Sequence, residues 1–379
     1  MPHSPVYLDC NATTPLDERV RQVMCDAFAD GPSNAGSRTH EFGLRASRTV
    51  ERAREAVARV VNAAAEEVVF TSGATESNNL AILGLAEHAD RTGCRHVICS
   101  AIEHKAVLEP VDALRRRGFT VSVLPSSRFG QVNTGELRQA LTDRTLLVSI
   151  MHVNNETGVL QPLREVAQAL SDHPAYLHVD AAQGYGKELD QLRLGRLDLI
   201  SVSGHKIFGP PGVGALIARR RNGKRPPLSP VLFGGGQERG LRPGTLPVSL
   251  IAGLGEAARL ALEEHDERQL ACLRFRSAML QRLAPLKPRL VNGASPTLPH
   301  VASLSFGSIE SEAVMLALKH LVAISNGSAC TSASYSPSHV LAAMGLEGEE
   351  IASVTRWSWC HETPAPDWDA VVEAVHRLF

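Results

Sequence analysis

From Leu44 to Asn62, charged and apolar residues recur at helical spacing, with Val50, Ala53, Val57 and Val60-Val61 on one side. That pattern predicts an amphipathic helix. Beyond it the pattern changes to short apolar runs alternating with helical stretches. Glu67-Val68-Val69-Phe70 reads as a strand, and Thr71 to Glu76 turns into a helix running through Asn79 to about Arg91. His96 to Cys99, Thr120 to Leu124 and Leu146 to Met151 read as strands. Ala106 to Arg117, Gly135 to Leu141 and Pro162 to Leu170 read as helices between and after them. Two more strands end at Asp180 and near Val202. Alternation sustained this long predicts an α/β fold with a mostly parallel sheet flanked by helices.

After Gly214-Ala215-Leu216-Ile217 a breaker-rich stretch runs from Arg225-Pro226-Pro227 to Pro243-Gly244-Thr245. A long helical pattern then extends from Pro247 to about Leu283. The remainder reads as a smaller α+β unit, with a strand from Val301 to Phe306, a helix from Glu310 to Leu318 and a Gly/Ser/Cys loop at 325–336. A chain of 379 residues accommodates two domains.

Composition narrows the class. The chain is 44% hydrophobic and 21% charged, as expected of a globular protein in water. A formal net charge of −1 provides no field that would draw nucleic acid or a membrane surface. The basic runs Arg115-Arg116-Arg117 and Arg219-Arg220-Arg221 read best as solvated helix ends and a loop. The seven cysteines are scattered without a CxxC pair, which argues against a structural metal site and a disulfide framework. No apolar run is long enough to span a bilayer, and the first residues lack an apolar signal core. The expectation is a reduced, cytoplasmic enzyme.

Candidate chemistry sits at strand ends. Leu199-Ile200-Ser201-Val202-Ser203-Gly204-His205-Lys206 is an apolar strand ending in a turn that presents one lysine. Tyr176-Leu177-His178-Val179-Asp180 is another, ending in one aspartate. Such a pair suits pyridoxal phosphate: the lysine holds its aldehyde as a Schiff base and the aspartate keeps its ring nitrogen protonated. Ser72-Gly73-Ala74-Thr75 precedes a helix and provides backbone N–H groups and hydroxyls for a phosphate. Each feature also has a plain reading: a surface lysine, a helix-capping aspartate, an N-cap at Ser72 or Thr75. Ala181-Ala182-Gln183 leaves space for a ring and places an amide near its hydroxyl. His104 is either an ordinary turn histidine or an imidazole stacked on that ring that also carries protons. Asn155 is either a turn residue or a donor to the cofactor hydroxyl or a substrate carboxylate.

Taken together, these motifs resemble the cysteine desulfurases of the NifS/IscS group, within the class V, fold-type I pyridoxal phosphate enzymes. The resemblance rests on Leu8-Asp9 with Asn11 to Pro15, on Asn34 with Ser37 and His40, and on Thr71 to Ser77. It continues through Glu103-His104-Lys105, Asn154 to Gly158, Asp180 to Gln183 and Ser203 to Lys206. Gly235 to Glu238, Gly244-Thr245, Ser328-Ala329-Cys330 and Arg356 complete it, in the family's order over nearly the whole chain.

The resemblance implies a large domain, residues 15–257, with a mostly parallel seven-stranded sheet. Residues 1–14 and 258–379 would form a small α+β domain carrying the Cys330 loop. Lys206, Asp180, Gln183 and His104 would hold the cofactor ring. Ala74, Thr75, Ser203 and His205 would hold its phosphate, with Thr245 reaching across from a second subunit, which implies a homodimer. Asn155 and Arg356 would hold the substrate carboxylate, with Asn34 nearby; no metal is implied. L-cysteine would become alanine, and Cys330 would take the sulfur as a persulfide and pass it to an acceptor protein.

The chain departs from the family pattern at Ala35-Gly36, at Pro243 and at Trp357-Ser358-Trp359-Cys360-His361. It also ends at Phe379, without the longer tail by which housekeeping members dock an iron–sulfur scaffold. Those departures make it similar to dedicated members such as the DndA type, which feeds sulfur into DNA phosphorothioation. The alternative is another class V enzyme, such as a selenocysteine lyase or an aminotransferase. A non-catalytic partner protein on this fold is the reading outside catalysis.

Overall fold

The computed structural model describes residues 4–326 and 337–379. Its centre is a seven-stranded sheet. From one edge to the other the strands are Val68–Thr71, Gly214–Ala218, Leu199–Ser203, Tyr176–Asp180, Thr145–Ser149, His96–Ser100 and Thr120–Leu124. Gly214–Ala218 runs antiparallel to both neighbours, and every other pairing is parallel. The mostly parallel expectation therefore holds, with one reversed strand that no feature of its sequence announces.

The central strands are buried on both faces, which explains their near-continuous apolar runs. Ile200, Val202, Ala215 and Ile217 face one helical layer, in which Glu41–Val60 and Val248–Glu263 pack together. Leu199, Leu216, Val97 and Cys99 face the other, formed by Ala74–Leu83, Ala86–Thr92 and Lys105–Arg116. Neighbouring parallel strands Tyr176–Asp180 and Leu199–Ser203 have their C-terminal ends at the same sheet edge. Ligand sites of open α/β sheets form at that edge.

A second apolar core surrounds a three-stranded antiparallel sheet of Arg289–Leu290, Val301–Ser305 and Val354–Ser358. Leu8, Met279, Leu304, Phe306, Trp357, Trp359 and Val371 fill it. Trp357 and Trp359 are fully buried there, so their bulk packs the core and lines no part of the cleft described below. Strand alternation turns Arg356, immediately before Trp357, to the opposite face.

Three expectations need correction. The helical stretch from Pro247 to Leu283 is two helices, Val248–Glu263 and His265–Leu283, broken at Glu264, where φ is −104° and ψ 13°. The stretch from Asn79 to Arg91 is likewise divided between Ala74–Leu83 and Ala86–Thr92. Arg219 is buried rather than solvated: its guanidinium donates to the carbonyls of Val61, Leu192 and Leu194, tying its strand end to the end of the helix Glu41–Val60 and to the turn at 191–194. Arg115 and Arg116, by contrast, pair with Asp112 at the surface.

Candidate active site

A cleft of about 390 Å³ opens at the C-terminal sheet edge. Asp180 ends its strand there, and the turn Gly204–Lys206 carries the lysine directly off the adjacent strand. The Lys206 amine donates to the carbonyls of Asn11 and, at 2.8 Å, Ala12. Those carbonyls hold the amine at the cleft wall in a polar environment. Asp180 is buried, and both carboxylate oxygens are occupied: Asn78 Nδ2 donates at 2.7 Å and the Ala182 N–H at 3.0 Å. A buried carboxylate fixed this way presents an oriented negative charge.

Anion-binding groups line the same cleft. The helix Ala74–Leu83 begins at Gly73, which provides no side-chain cap, so its N-terminal N–H groups face the cleft uncapped. Gly73 has φ +151°, and a Cβ built on Gly214 would lie 2.6 Å from Gly73 Cα. Only glycine at both positions lets the turn press onto the reversed strand. Glu76 fastens the turn, accepting from Ser72 N at 2.8 Å and from Arg242 Nε at 2.8 Å. Thr75, Ser203 and His205 complete the lining. His205 is held neutral because burial, reinforced by the Lys206 and Lys187 charges, pushes it down to about 4. It therefore acts through hydrogen bonding, and its Nδ1 lies 3.1 Å from Thr13 Oγ1.

His104 caps the helix Lys105–Arg116, its Nδ1 accepting from the Ala106 N–H at 3.1 Å. That bond assigns the ring proton to Nε2. Burial lowers its pKa, so the imidazole entering the cleft is neutral. Beneath it Glu103 is fully buried, and burial raises its carboxyl to about 8. Glu103 Oε1 accepts from Ser100 Oγ at 2.5 Å and from the Met151 N–H at 2.8 Å.

At the far end stands Arg356, 2% exposed. It donates to Asp9 Oδ1 at 2.6 Å and to the Asn155 carbonyl at 3.0 Å, while its Nε has no partner among the described residues. Among the described residues, four further buried atoms of cleft residues lack partners: Asn11 Oδ1, Asn78 Oδ1, Asn155 Oδ1 and Gln183 Oε1. Buried polar atoms without partners are costly unless a ligand satisfies them. The lysine amine, oriented carboxylate, neutral imidazole, helix N-terminus and guanidinium thus converge in one cleft, a set of groups suited to an aldehyde, a ring nitrogen, a phosphate and a carboxylate.

Of the residues singled out from sequence, Ala74, Thr75, His104, Asn155, Asp180, Gln183, Ser203, His205, Lys206 and Arg356 meet in this cleft. Asn34 does not: it is exposed, and its Oδ1 accepts from the Gly36 N–H at 2.9 Å in its own turn. Thr245 is also exposed and lines no part of this chain's cleft. Cys330 lies outside the described residues. The sequence reading missed Asn78, one helical turn beyond Ala74, and Asp9, the partner of Arg356. Polar residues inside apolar helical or terminal stretches were the available signal.

The aminotransferase class-V pattern matches residues 6–371. A cysteine desulfurase IscS of Vibrio cholerae serotype O1 is 43% identical over 374 residues, covering 98% of this chain and 92% of its own. The crystal structure of DndA from Streptomyces lividans superposes with a TM-score of 0.81 at 49% identity, over 92% of this chain and 98% of that one. A structure of SspA in complex with cysteine superposes at 0.79 with 34% identity, over 93% and 98%.

Proposed function

This chain belongs to the aminotransferase class-V family and is an enzyme of the cysteine desulfurase type, and from that premise we propose that it binds pyridoxal 5′-phosphate on Lys206 and passes the sulfur of L-cysteine to Cys330. The observation that carries the proposal is the set of unpartnered buried atoms around Lys206 and Asp180 in a single cleft. When bound, the cofactor supplies an electrophilic aldehyde and an electron sink.

The chain's own residues divide the remaining work. Asp180, clamped by Asn78 and Ala182 N, would hold a proton on the ring nitrogen. Gln183 has committed its Nε2 to the Asn11 carbonyl at 2.9 Å, so Oε1 is left to accept from the ring hydroxyl. His104 would lie against the ring and hold a proton at Nε2. Thr75, Ser203, neutral His205 and the Ala74 N-terminus would bind the phosphate, joined by Thr245 from a second subunit. Arg356 would turn its guanidinium to the cysteine carboxylate, with the Asn155 side chain beside it. Cys330 would attack the substrate sulfur as a thiolate; the carbon–sulfur bond breaks, alanine leaves, and the thiol keeps the sulfur as a persulfide.

The same reading makes the active form a cytoplasmic homodimer. The large domain would span residues 15–257, and residues 1–14 and 258–379 would form the small one. Because the helix Val248–Glu263 packs on the large core as far as Leu260, Glu264 is the better boundary. The acceptor would be a dedicated sulfur-transfer protein of the DndA type of system, a choice supported by the 49% identity to DndA of Streptomyces lividans.

Purified protein given L-cysteine should release alanine in step with sulfide or persulfide and absorb in the visible. Cys330→Ser should keep the absorption and lose sulfur release; Lys206→Ala should lose both. Unimpaired sulfur release by Cys330→Ser would remove that residue's role, and an unchanged spectrum in Lys206→Ala would remove the lysine's.

A further inference from the structure

Behind the cleft lies a cluster of thiols that desulfuration does not use. Cys10 and Cys360 pack together with Phe208 as a separate small core. Cys10 precedes Asn11, whose carbonyl accepts from Lys206 and from Gln183. Cys360 lies just past the strand that carries Arg356. Main-chain bonds already join the two segments: the Cys10 N–H donates to the Ser358 carbonyl at 3.0 Å, and the Ser358 N–H to the Leu8 carbonyl at 2.8 Å.

The environments of the two sulfurs differ. Cys360 Sγ accepts from Thr363 Oγ1 at 3.4 Å, and the Cys360 N–H donates to the same hydroxyl oxygen at 2.9 Å. The neighbouring Cys10 first, then Thr363, lower the Cys360 thiol below its ordinary value against the opposing effect of burial. Cys10 is fully enclosed, and the neighbouring Cys360 sulfur together with burial raises its thiol and keeps it protonated.

A cavity of about 40 Å³ borders Cys360 but not Cys10. That volume accommodates a solute the size of water or hydrogen peroxide. Lys187 and His300 line it, with Lys187 Nζ 3.3 Å from His300 Nε2, and partly exposed His265, Gln269 and His361 form the rim. Cys272 borders the same cavity. One cysteine sulfur thus faces a small, mainly apolar cavity, and a second cysteine packs against it away from that cavity.

We propose that Cys360 and Cys10 form a redox site in which a hydroperoxide entering this cavity oxidises Cys360 and Cys10 resolves it to a disulfide. The Cys360 thiolate attacks one peroxide oxygen; the O–O bond breaks, the sulfur becomes a sulfenic acid, and hydroxide leaves and takes up a proton as water. Cys10 sulfur then attacks Cys360 sulfur; the S–O bond breaks, the Cys10 proton goes to the departing hydroxyl, and a second water forms. Two thiols lose two electrons in total, and one peroxide gains them. The product ties the Asn11 segment covalently to the chain just beyond Arg356, linking two walls of the cleft.

The test is peptide mapping of the full-length holoenzyme, prepared reduced and treated with one equivalent of hydrogen peroxide before alkylation and proteolysis. The expected product is a peptide pair joined through Cys10 and Cys360, reversed by dithiothreitol. In Cys10→Ala, Cys360 should accumulate as a sulfenic acid captured by dimedone. Alkylated, unlinked Cys10 and Cys360 in treated wild-type protein would overturn the proposal, and so would a Cys272–Cys360 link in place of the expected one. The wild-type map needs no variant to fold, and it reads these thiols whether or not Cys330 carries sulfur.

Discussion

Arg356 shows how much a single side chain carries here. Its planar fork spans Asp9 and the Asn155 carbonyl from a buried position, with Nε still open. Lysine cannot reproduce that fork. Arg356→Lys should raise KM for L-cysteine about tenfold or more, consistent with loss of a charge-assisted bond worth roughly 1.5–3 kcal/mol. An unchanged KM in steady-state assays would remove Arg356 from carboxylate binding. Asn78 acts through Asp180, whose Oδ2 would be left buried without its donor in Asn78→Ala. Leaving a buried acceptor unsatisfied costs about 1–3 kcal/mol, so activity should fall about 10- to 100-fold. A loss smaller than threefold, in a variant that retains its visible absorption, would exclude that support. Lys206 and Asp180 were legible in sequence because each interrupts the end of an apolar strand. Asn78 and Asp9 were not, because they act on residues 102 and 347 positions away.

Among the elements, the strand Val68–Thr71 leads directly into the turn at Ser72-Gly73 and is anchored by a buried ion pair. Arg54 and Glu238 meet at 2.7 Å with side chains 4% and 2% exposed, and Glu238 also accepts from Phe70 N at 2.7 Å. Glu238→Gln removes one charge and strands the other, which costs about 3–5 kcal/mol when the pair is buried. Urea denaturation should show that loss; a change below about 1 kcal/mol would mean that solvent already reaches the pair. Most strands and helices were legible from apolar periodicity, to within a few residues at their ends. The breaks at Glu264 and after Leu83 were not, because the apolar pattern runs on across each turn. The reversed direction of Gly214–Ala218 was also invisible, since a doubly buried strand reads the same either way.

For the molecule as a whole, buried titratable groups set the pH range of stability. His178, locked between Ser149 Oγ at 2.8 Å and Ser201 Oγ at 3.0 Å, is pushed by burial down to about 4. Burial lowers His300 well below its ordinary value too. Both are neutral in the fold, and the unfolded chain takes up their protons below about pH 6.5. Stability therefore falls as pH drops from 6.5 towards 4. Glu103, raised to about 8 by burial, acts in the opposite direction. The fold keeps its proton while the unfolded chain releases it above about pH 4.5, so its contribution declines as pH rises and is lost by about 8. Together these predict maximal stability near pH 6.5, and Glu103→Gln should flatten the alkaline side. Thermal unfolding across pH 4–9 checks this; stability rising steadily to pH 8.5 would contradict it. Among the described residues no helix is long and apolar enough to cross a membrane.

Sequence by itself determined the α/β class, the strands that deliver Lys206 and Asp180, and the glycine turn that begins the helix Ala74–Leu83. These are local matters, set by apolar periodicity and by backbone conformations that few residues tolerate. Tertiary structure alone decided that Arg356 reaches the cleft while Trp357 and Trp359 fill a core. It also decided that Asn11 holds the Lys206 amine and that Cys10 meets Cys360. Burial, hydrogen-bond partners and charge states depend on segments hundreds of residues apart in the chain, and folding is what brings them within a few ångströms.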